Sequence, residues 1–364
     1  GNFSQIGNEE VENGDFSEIG SEEITNGDFA TDSDWTVYGN TEISNGKANL
    51  NSGTGAFANT LSQSSVVTNL KNYKISFTIS NYQEGEAYVS IGFNTSFLVN
   101  AGGDYTFYGV SQSGDNTNFL VRNGASNFIG SIDNVSVKEV GQDFIFGDGW
   151  GMGDGKAVAV AGTSSRLEQL ISGLNGKSAK VTFTLSNYGG SGSVYVDFGS
   201  TNSSLVNTNG EHTVYGTFDQ NKFELFKGSA FAGSIDNLSV KEVGQGWAVT
   251  KTSPNIVEFQ SDSAYLKRTI SAANEISQTP YIAGRNYKLI IDARIISSGL
   301  AIEGNGTLSR TTLTQGINTF NLVPTSTNLQ IISENNTTEG YIDSVVVQEL
   351  KHDATNLMLN AGAY

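Results

Sequence analysis

An aspartate recurs at the same place in three similar segments of the chain: Asp133 in SIDNVSVKEV, Asp236 in SIDNLSVKEV and Asp343 in YIDSVVVQEL. Apolar residues follow it at every second position, so strand alternation predicts that the carboxylate faces inward with them. An inward carboxylate needs hydrogen-bond donors or a cation. One interpretation is a Ca²⁺ site to which Asp28, from the segment NGDF, and Asp133 contribute oxygen ligands. The alternative is a carboxylate that accepts backbone N–H groups and ties the first strand to the last.

Four tyrosines form a second group of candidates. Tyr82 and Tyr88 follow one alternating strand, and Tyr188 and Tyr195 hold the corresponding places further along the chain. All four are predicted to face outward, and Tyr88 in particular alternates with apolar neighbours. Sugars stack on exposed aromatic rings, so these tyrosines are candidates for glycan contact. Cross-strand packing, or contact with a neighbouring chain, explains the same residues equally well.

Residues suited to catalysis are scarce. The chain has no cysteine, and its two histidines, His212 and His352, lie in a predicted turn and in the C-terminal tail, without a serine elbow or thiol nearby. The glycine-rich stretch GDGWGMGDG at 147–155 lacks the Lys-Ser/Thr ending of a phosphate-binding loop. No pair of carboxylates stands out among the scattered acids. We therefore expect no enzymatic activity, and Ca²⁺ is the one cofactor that the sequence suggests.

Internal repetition predicts the elements that position these residues. Each aspartate segment is preceded by an alternating strand and by a tryptophan that opens the unit: YKISFTISNY, AKVTFTLSNY and YKLIIDARII, with Trp35, Trp150 and Trp247. A tryptophan at a place fixed by the repeat is predicted to pack in the core or at a corner. Alternation between Gly/Asn-rich turns predicts an all-β chain of three tandem β-sandwich domains at 22–140, 141–243 and 244–350. Periodicity does not separate immunoglobulin from jelly-roll type. The short joints Gly141-Gln142 and Gly244-Gln245 favour a stiff row of domains.

The N-terminus carries a shorter repeat. GNFSQIGNEEVEN, GDFSEIGSEEITN and GDFATDSDW begin at Gly1, Gly14 and Gly27, thirteen residues apart. A unit of this length cannot bury a core alone, and short β repeats commonly need several chains wound together. Residues 1–21 are therefore predicted to form a β-repeat stalk that holds a homo-oligomer together. The alternative is a duplicated linker.

Composition limits the partners of the chain. A formal charge of −17 and the lack of Lys/Arg clusters argue against nucleic acid, because phosphate binding requires such clusters. No apolar run approaches the roughly 20 residues that a membrane-spanning helix needs, so we expect no membrane insertion. Without cysteine there are no disulfides, and each core must therefore be large enough to stand alone.

The pattern NGDF…W…NGK…YKISFTISNY…GSIDNVSVKEV resembles the carbohydrate-binding-module-like jelly-roll domains of bacteriophage tail-fibre and other virion proteins. The resemblance spans roughly residues 22–350 and implies jelly-roll sandwiches, a virion or extracellular location and other virion proteins as partners. It also implies a calcium ion that ties the first strand to the last through Asp28 and Asp133. The tail at 351–364 resembles the lead-in to a further lectin-like domain.

The function we expect is that of a structural virion protein. The chain would be a tail-fibre or head-fibre segment involved in host attachment, assembled as a homotrimer that holds a receptor-binding tip away from the particle. Two alternatives stay open. One is an adhesin that binds cell-surface glycans through the four tyrosines, and the other is a capsid decoration protein or surface filament subunit.

Overall fold

The computed structural model describes residues 3, 6–51, 57–125, 127–252, 254–260, 262–272, 274–297 and 299–350. Within these ranges the chain forms strands, turns and bends, and no helix there could span a membrane. The predicted all-β class is confirmed. The tail at 351–364, with His352, lies outside the described residues. Six antiparallel sheets in the described ranges enclose three hydrophobic cores, each core lying between two sheets.

The first two strands come from the N-terminal repeats: β1 (Ile6–Glu9) and β2 (Ile19–Glu22). The first sandwich then continues with β3 (Thr36–Val37), β4 (Glu42–Ser44), β5 (Lys47–Asn51), β6 (Asn59–Gln63), β7 (Asn72–Glu84), β8 (Ala87–Ile91), β9 (Thr95–Val99), β10 (Gly103–Val110), β11 (Phe119–Asn123) and β12 (Ile129–Val140). One sheet has the order β10-β7-β12-β5-β4, with β2 added beside β12, and the other has the order β3-β6-β11-β8-β9.

The second sandwich repeats this plan with β13 (Ile145–Phe146), β14 (Trp150–Gly153), β15 (Lys156–Ala159), β16 (Ser165–Leu170), β17 (Ser178–Ser186), β18 (Val194–Asp197), β19 (Gly210–Thr217), β20 (Lys222–Lys227) and β21 (Gly233–Val243). Its sheets have the orders β14-β15-β21-β17-β19, with β1 added beside β21, and β13-β16-β20-β18. Repeat strands therefore enter both sandwiches at the same edge.

The third sandwich contains β22 (Ala248–Lys251), β23 (Ile256–Gln260), β24 (Ser263–Lys267), β25 (Asn274–Gln278), β26 (Tyr287–Ser297), β27 (Leu300–Ile302), β28 (Thr311–Thr312), β29 (Gly316–Leu322), β30 (Leu329–Ser333) and β31 (Glu339–Glu349). Its sheets have the orders β22-β25-β30-β27-β28 and β23-β24-β31-β26-β29. In the described residues no repeat strand is added to either sheet.

Alternation along the central strands builds the cores as predicted. In β7, Ile75, Phe77 and Ile79 are buried, while the Ser and Thr residues between them lie on the other face. Strand β17 alternates in the same way. One face of each sheet therefore packs against its partner sheet, which is the arrangement that period-two patterning favours.

The prediction of a separate stalk at residues 1–21 is wrong. Strand β1 pairs with β21, with Ile6 opposite Val243, and β2 pairs with β12, with Ile19 opposite Val140. The N-terminal segment runs against the order of the domains, because its buried phenylalanines Phe3, Phe16 and Phe29 lie in the third, second and first cores. The phenylalanines of the repeats, together with Val11 and Ile24, are buried in the chain's own sandwiches, so their burial requires no other chain.

The joints between sandwiches are packed. Val140, at the end of β12, belongs to the second core, and Val243, at the end of β21, belongs to the third. The Asn72 side chain accepts the Met152 backbone N–H at 3.2 Å across the first joint. The Thr217 hydroxyl donates to the Val257 carbonyl at 3.0 Å across the second. Each sandwich thus shares side chains and hydrogen bonds with the next.

Candidate functional site

The edge of β21 that receives β1 binds the first repeat through both backbone and side-chain groups. The Glu9 carboxylate accepts the Val240 backbone N–H at 2.7 Å and the Ser239 hydroxyl at 2.6 Å. The Glu10 N–H donates to the Val240 carbonyl at 2.9 Å. Both backbone groups of Val240 are therefore bonded to the repeat. We call this strand edge, with the glutamine described below, the repeat-binding edge.

The first sandwich binds the second repeat through the same contacts. The Glu22 carboxylate accepts the Val137 N–H at 2.8 Å and the Ser136 hydroxyl at 2.6 Å. The Glu23 N–H donates to the Val137 carbonyl at 2.9 Å. Because Glu9 and Glu22 are thirteen residues apart, the spacing of the repeat matches the spacing of two successive sandwiches.

A buried glutamine binds the backbone of each repeat. The Gln169 side-chain amide donates to the Glu12 carbonyl at 2.9 Å, and its oxygen accepts the Glu12 N–H at 2.9 Å. Gln63 makes the same two bonds to Thr25, at 2.8 and 2.9 Å. Since both bonds reach the main chain, the repeat residue at this place can be Glu or Thr.

In the second and third repeats the glycine two residues before the phenylalanine lies where the backbone touches the last strand. A Cβ atom on Gly14 would lie 2.0 Å from the Leu238 carbonyl oxygen, and one on Gly27 would lie 2.0 Å from that of Val135. The phenylalanines then meet aromatic rings in each core, with centroid separations of 5.4 Å for Phe3 and Trp247, 4.9 Å for Phe16 and Phe144, and 4.9 Å for Phe29 and Trp35.

An ion pair supports the second sandwich's edge. The Lys177 ammonium lies 3.0 Å from the Glu10 carboxylate of the repeat and 3.4 Å from Glu242 of β21. The hydrogen bond that Lys177 donates to the Glu10 carboxylate raises the pKa of the lysine above its ordinary value. The lysine therefore stays charged and links the repeat to the sandwich.

The prediction that Asp133 faces inward is wrong. Asn134 adopts a φ of 53°, and β12 has one extra residue relative to β7 at this point. This bulge changes the alternation, so that Ile132 and Val135 are both buried while Asp133 is half-buried. The Asp133 carboxylate accepts the N–H of Asn134 at 2.6 Å, a local bond that requires no cation.

The equivalent aspartates have different partners. Asp236 accepts the N–H of Asn237 at 2.7 Å, as in the first sandwich, whereas Asp343 accepts the Arg294 guanidinium at 2.7 Å. Asp28 is exposed and accepts the N–H of Ala30 at 3.2 Å. Among the residues that the structure describes, no cluster of three or more His, Cys, Asp or Glu side chains could hold a metal. The Ca²⁺ site at Asp28 and Asp133 stays a prediction.

Tyr82 and Tyr188 are half-exposed, but their rings pack against the cores and do not stand on the outer face of a sheet. The Tyr82 ring lies 5.8 Å from Phe128 and its hydroxyl donates to the Gly85 carbonyl. Tyr188 packs on Phe231 at 6.0 Å, and its hydroxyl donates to Gly192. The preceding residues, Asn81 and Asn187, have φ values of 52° and 53°, which interrupts the alternation and turns both rings toward the core.

Tyr88 and Tyr195 are half-exposed on the outer faces of their sheets, between buried neighbours. Tyr195 stacks on Phe226 at 4.9 Å, and the Arg166 guanidinium lies over the same ring at 5.2 Å. Arg166, Phe226 and Tyr195 lie directly opposite one another on β16, β20 and β18, and we call them the outer row. Tyr88 lies 6.1 Å from Phe57. Glycan contact by these residues stays a prediction.

The tryptophans pack as predicted. Trp150 and Trp247 are buried, and Trp35 is half-buried against Phe29 and Phe119. The sequence reasoning missed the repeat-binding edge, although the recurrence of Glu9 and Glu22 beside the two SVKEV strands was a usable signal.

A buried lysine was also missed. Lys227 is fully buried, and its ammonium donates to the carbonyls of Val160 at 3.0 Å and Thr163 at 2.8 Å. Burial lowers the pKa of Lys227, while the nearby charge of Asp148 acts in the opposite direction. The corresponding residue of the first sandwich is Asn123, so the repeat gave no signal of a cation.

No protein-family model and no curated protein sequence matches the chain. Several solved structures share a distant likeness with the chain, among them the following three. A triple jelly-roll protein from the turret of an archaeal virus is 11% identical, with 87% of this chain and 89% of that chain covered and a TM-score of 0.23. A protein of Sulfolobus turreted icosahedral virus is 12% identical, with 87% and 90% covered and a TM-score of 0.22. The tandem CBM22 domains of Paenibacillus barcinonensis Xyn10C are 10% identical, with 92% and 99% covered and a TM-score of 0.19. Likenesses of this size identify neither a family nor a function.

Proposed function

We propose that the chain is a structural segment of a virion fibre, in which the N-terminal repeats hold a row of β-sandwiches at a fixed spacing. One observation supports this role above all others. A single segment inserts Phe3, Phe16 and Phe29 into three successive cores and so crosses both joints between sandwiches. A fibre segment that holds a tip away from a particle needs joints that resist bending.

The energetics of the segment suit a stiff rod. Burying a phenylalanine side chain stabilises by about 2 kcal/mol, and each repeat adds strand hydrogen bonds to that burial. Bending at Gly141 would also separate Val140 from the second core, and bending at Gly244 would separate Val243 from the third. Bending at either joint would therefore expose apolar surface both in the repeat segment and at the joint itself.

The shape of the particle in solution tests the rod. We expect small-angle scattering and negative-stain images of the whole chain to show an extended particle of constant length. The variant Phe16→Ala should bend at the first joint and broaden the length distribution, while Phe57→Ala, which removes an exposed ring, should not. A compact or variable particle for the unmodified chain would contradict the proposal. Immunogold labelling of virions with an antibody to the chain would test its location on a fibre.

The proposal keeps the predicted homotrimer but moves its contact from an intertwined stalk to the outer surface. Ile6 and Ile19 hold the same place in successive repeats, and each is 53% exposed. They lie on the side of the repeats that faces away from the cores. Light scattering of the whole chain and of the Ile6→Ser, Ile19→Ser double variant tests this contact. A monomeric unmodified chain would contradict the trimer and leave the rod intact.

Catalysis forms no part of the proposal. The His212 ring nitrogen Nε2 lies 2.7 Å from the Thr208 carbonyl oxygen, and no nucleophile accompanies it in the contacts of the described residues. Activity screens on generic ester, glycoside and phosphate substrates would test this, and turnover that is lost in His212→Ala would overturn it.

Glycan binding is the second candidate, and the outer row supports it. The row offers a flat aromatic pair beside an arginine and is flanked by Asp197, which lies 3.7 Å from Arg166. Aromatic faces next to polar groups suit pyranose rings, which have an apolar face and hydroxyl edges. A glycan array would test the candidate with Tyr195→Ala as the variant and Tyr215→Ala as a control from outside the row. An array that stays silent at high protein concentration would remove it.

A further inference from the structure

The third sandwich presents the strand edge to which the other two sandwiches bind a repeat. Strand β31 pairs with β26 along its length, and with β24 only from Glu339 to Ile342. When YIDSVVVQEL is aligned with SIDNLSVKEV, Val347 takes the place of Val240 and Val137. In the described part of the chain no strand lies beside Val347 on the side that β1 and β2 occupy in the other sandwiches.

Apolar side chains at this edge are more exposed than their equivalents in the other two sandwiches, as expected where no strand covers the edge. Val137 and Val240 are 0% exposed, whereas Val347 is only half-buried. Its neighbour Val346 is 47% exposed, although it lies in a strand whose other side is fully paired. An unpaired apolar strand edge is a template for another strand.

The glutamine that binds the repeat backbone is also present. Gln278 lies opposite Leu329, as Gln169 lies opposite Phe223 and Gln63 lies opposite Phe119. Gln63 and Gln169 are buried and bonded to a repeat. Gln278 is half-exposed, and no hydrogen bond of its side chain is found within the described ranges.

The position of Phe3 fixes the register that a bound strand would have. Strands β1 and β2 lie seven to ten residues ahead of Phe16 and Phe29, in the sandwiches that those phenylalanines enter. Phe3 occupies the corresponding place in the third core, beside Trp247. A strand bound to β31 in the same register would therefore enter the sandwich directly ahead of Phe3.

We propose that the edge of β31 around Val347, together with Gln278, is a binding site for one more extended segment of the thirteen-residue repeat type. The occupant is a peptide strand whose backbone N–H pairs with the Val347 carbonyl and whose next-but-one residue offers its own N–H and C=O to Gln278. Val346 replaces the serine of the other two edges, so the glutamate of the repeat keeps only its bond to the strand N–H. Recognition at this edge is therefore carried mainly by the backbone.

A synthetic peptide with the sequence of residues 17–26, SEIGSEEITN, tests the site against the unmodified whole chain. We expect one molecule to bind and to slow amide hydrogen exchange at Val347, without changing exchange at Val137 and Val240. The same peptide methylated on the nitrogen that corresponds to Glu23 cannot donate to Val347 and should bind at least tenfold more weakly. Gln278→Ala should weaken binding several-fold, while Glu275→Ala, on the same strand, should not.

A chain that carries an extra copy of residues 14–26 ahead of Gly1 provides the second measurement, because attachment raises the effective concentration of a short strand. We expect Val347 to become protected in this chain, and Gln278→Ala to reduce that protection. If neither the peptide nor the attached copy protects Val347, or if the methylated peptide binds as well as the unmodified one, the proposal is overturned. Protection that appears at Val137 or Val240 instead would also overturn it.

Discussion

The first and third sandwiches close the same pair of loops with different groups. In the first, the Asp115 carboxylate accepts the N–H groups of Phe93 and Asn94, both at 2.9 Å. In the third, the amide oxygen of Asn305 reaches across from the other loop and accepts the N–H of Thr325 at 3.0 Å. One corner is held by a charge and the other by a neutral amide. The two sandwiches share the order of their strands but differ in the side chain that links these two loops.

The repeated aspartate shows the same divergence. Asp236 bonds to the N–H of its own neighbour Asn237, whereas Asp343 forms an ion pair with Arg294, which also lies over Tyr341 at 4.2 Å. A position that recurs in all three sandwiches therefore has no single chemical role. Site residues cannot be transferred between these units on alignment alone, and the variants below test where the units differ.

The largest effect is expected from the phenylalanines of the repeats. Phe16→Ala should lower the free energy of unfolding of the second sandwich by about 3 to 5 kcal/mol, because it empties a buried site beside Phe144. The third sandwich should lose a similar amount in Phe3→Ala. Urea unfolding can be followed in each sandwich separately, since each contains one tryptophan and the other two can be replaced. A loss below about 1 kcal/mol would mean that the repeats are only loosely attached.

The glutamates of the repeats should come next. Glu9→Ala and Glu22→Ala should each cost about 1 to 3 kcal/mol, because a backbone N–H and a serine hydroxyl lose their acceptor. The loss should appear in the second sandwich for Glu9 and in the first for Glu22. The third sandwich serves as the internal control in both variants. Equal losses in all three would show that the row unfolds as one unit.

Acid should weaken the loop contact made by Asp115 in the first sandwich, but not the loop contact made by Asn305 in the third. Burial alone would raise the pKa of Asp115, but the N–H bonds from Phe93 and Asn94 outweigh it, and the pKa lies below its ordinary value of 3.8. A carboxyl group with a lowered pKa stabilises the fold above its unfolded-state pKa and loses that contribution as the pH falls through the folded-state value. Asp115→Asn should therefore cost about 1 kcal/mol at neutral pH and almost nothing in strong acid.

The third corner provides the comparison for this variant. Asn305 does not titrate, so the pH profile of the third sandwich should be unchanged by Asp115→Asn. Unfolding monitored through Trp247 and Trp35 at a series of pH values would measure both profiles. An unaltered acid slope in the first sandwich would show that Asp115 is not the group responsible.

The smallest effect is expected at Arg294. Its ion pair with Asp343 is half-exposed, so Arg294→Met should cost no more than about 1 kcal/mol, and Asp343→Asn should cost a similar amount. The cost should shrink at high salt, because exposed charges are screened. Thermal unfolding of the third sandwich at low and high salt would measure this. A larger cost that salt does not change would assign the role to packing on Tyr341.

Sequence patterns predicted the strands well and their interruptions poorly. Alternation in YKISFTISNY correctly placed the buried face of β7. It failed for Asp133 and Tyr82 because a single asparagine with positive φ precedes or follows each of them, and asparagine is also common in ordinary turns. The local sequence does not distinguish an asparagine that interrupts a strand from an asparagine in an ordinary turn. The bulge depends on the pairing with β7, which is a tertiary property.

The repeats were recognised, but their partner was not. A thirteen-residue period shows that each unit needs a surface on which to bury its apolar residues, and it does not say which surface. The surfaces that bind successive repeats lie on sandwiches whose equivalent strands are more than a hundred residues apart in sequence. The repeats are also far from these surfaces along the chain: Glu9 and Val240, which are hydrogen-bonded, are separated by 231 residues. The distance between equivalent strand edges of neighbouring sandwiches equals the length of one repeat only after the sandwiches have folded and packed in a row.

The long sequence separation between the first repeat and β21 also determines the order in which they are synthesised. The first repeat leaves the ribosome more than two hundred residues before β21, the strand to which it binds. At about 5 to 20 residues per second, the strand waits roughly ten to fifty seconds for its acceptor. Its apolar side chains are unprotected during that interval, and neighbouring chains on one polysome could exchange strands. Chaperone demand during translation should therefore be highest before the second sandwich is complete, and slowing elongation near residue 243 should increase misassembly.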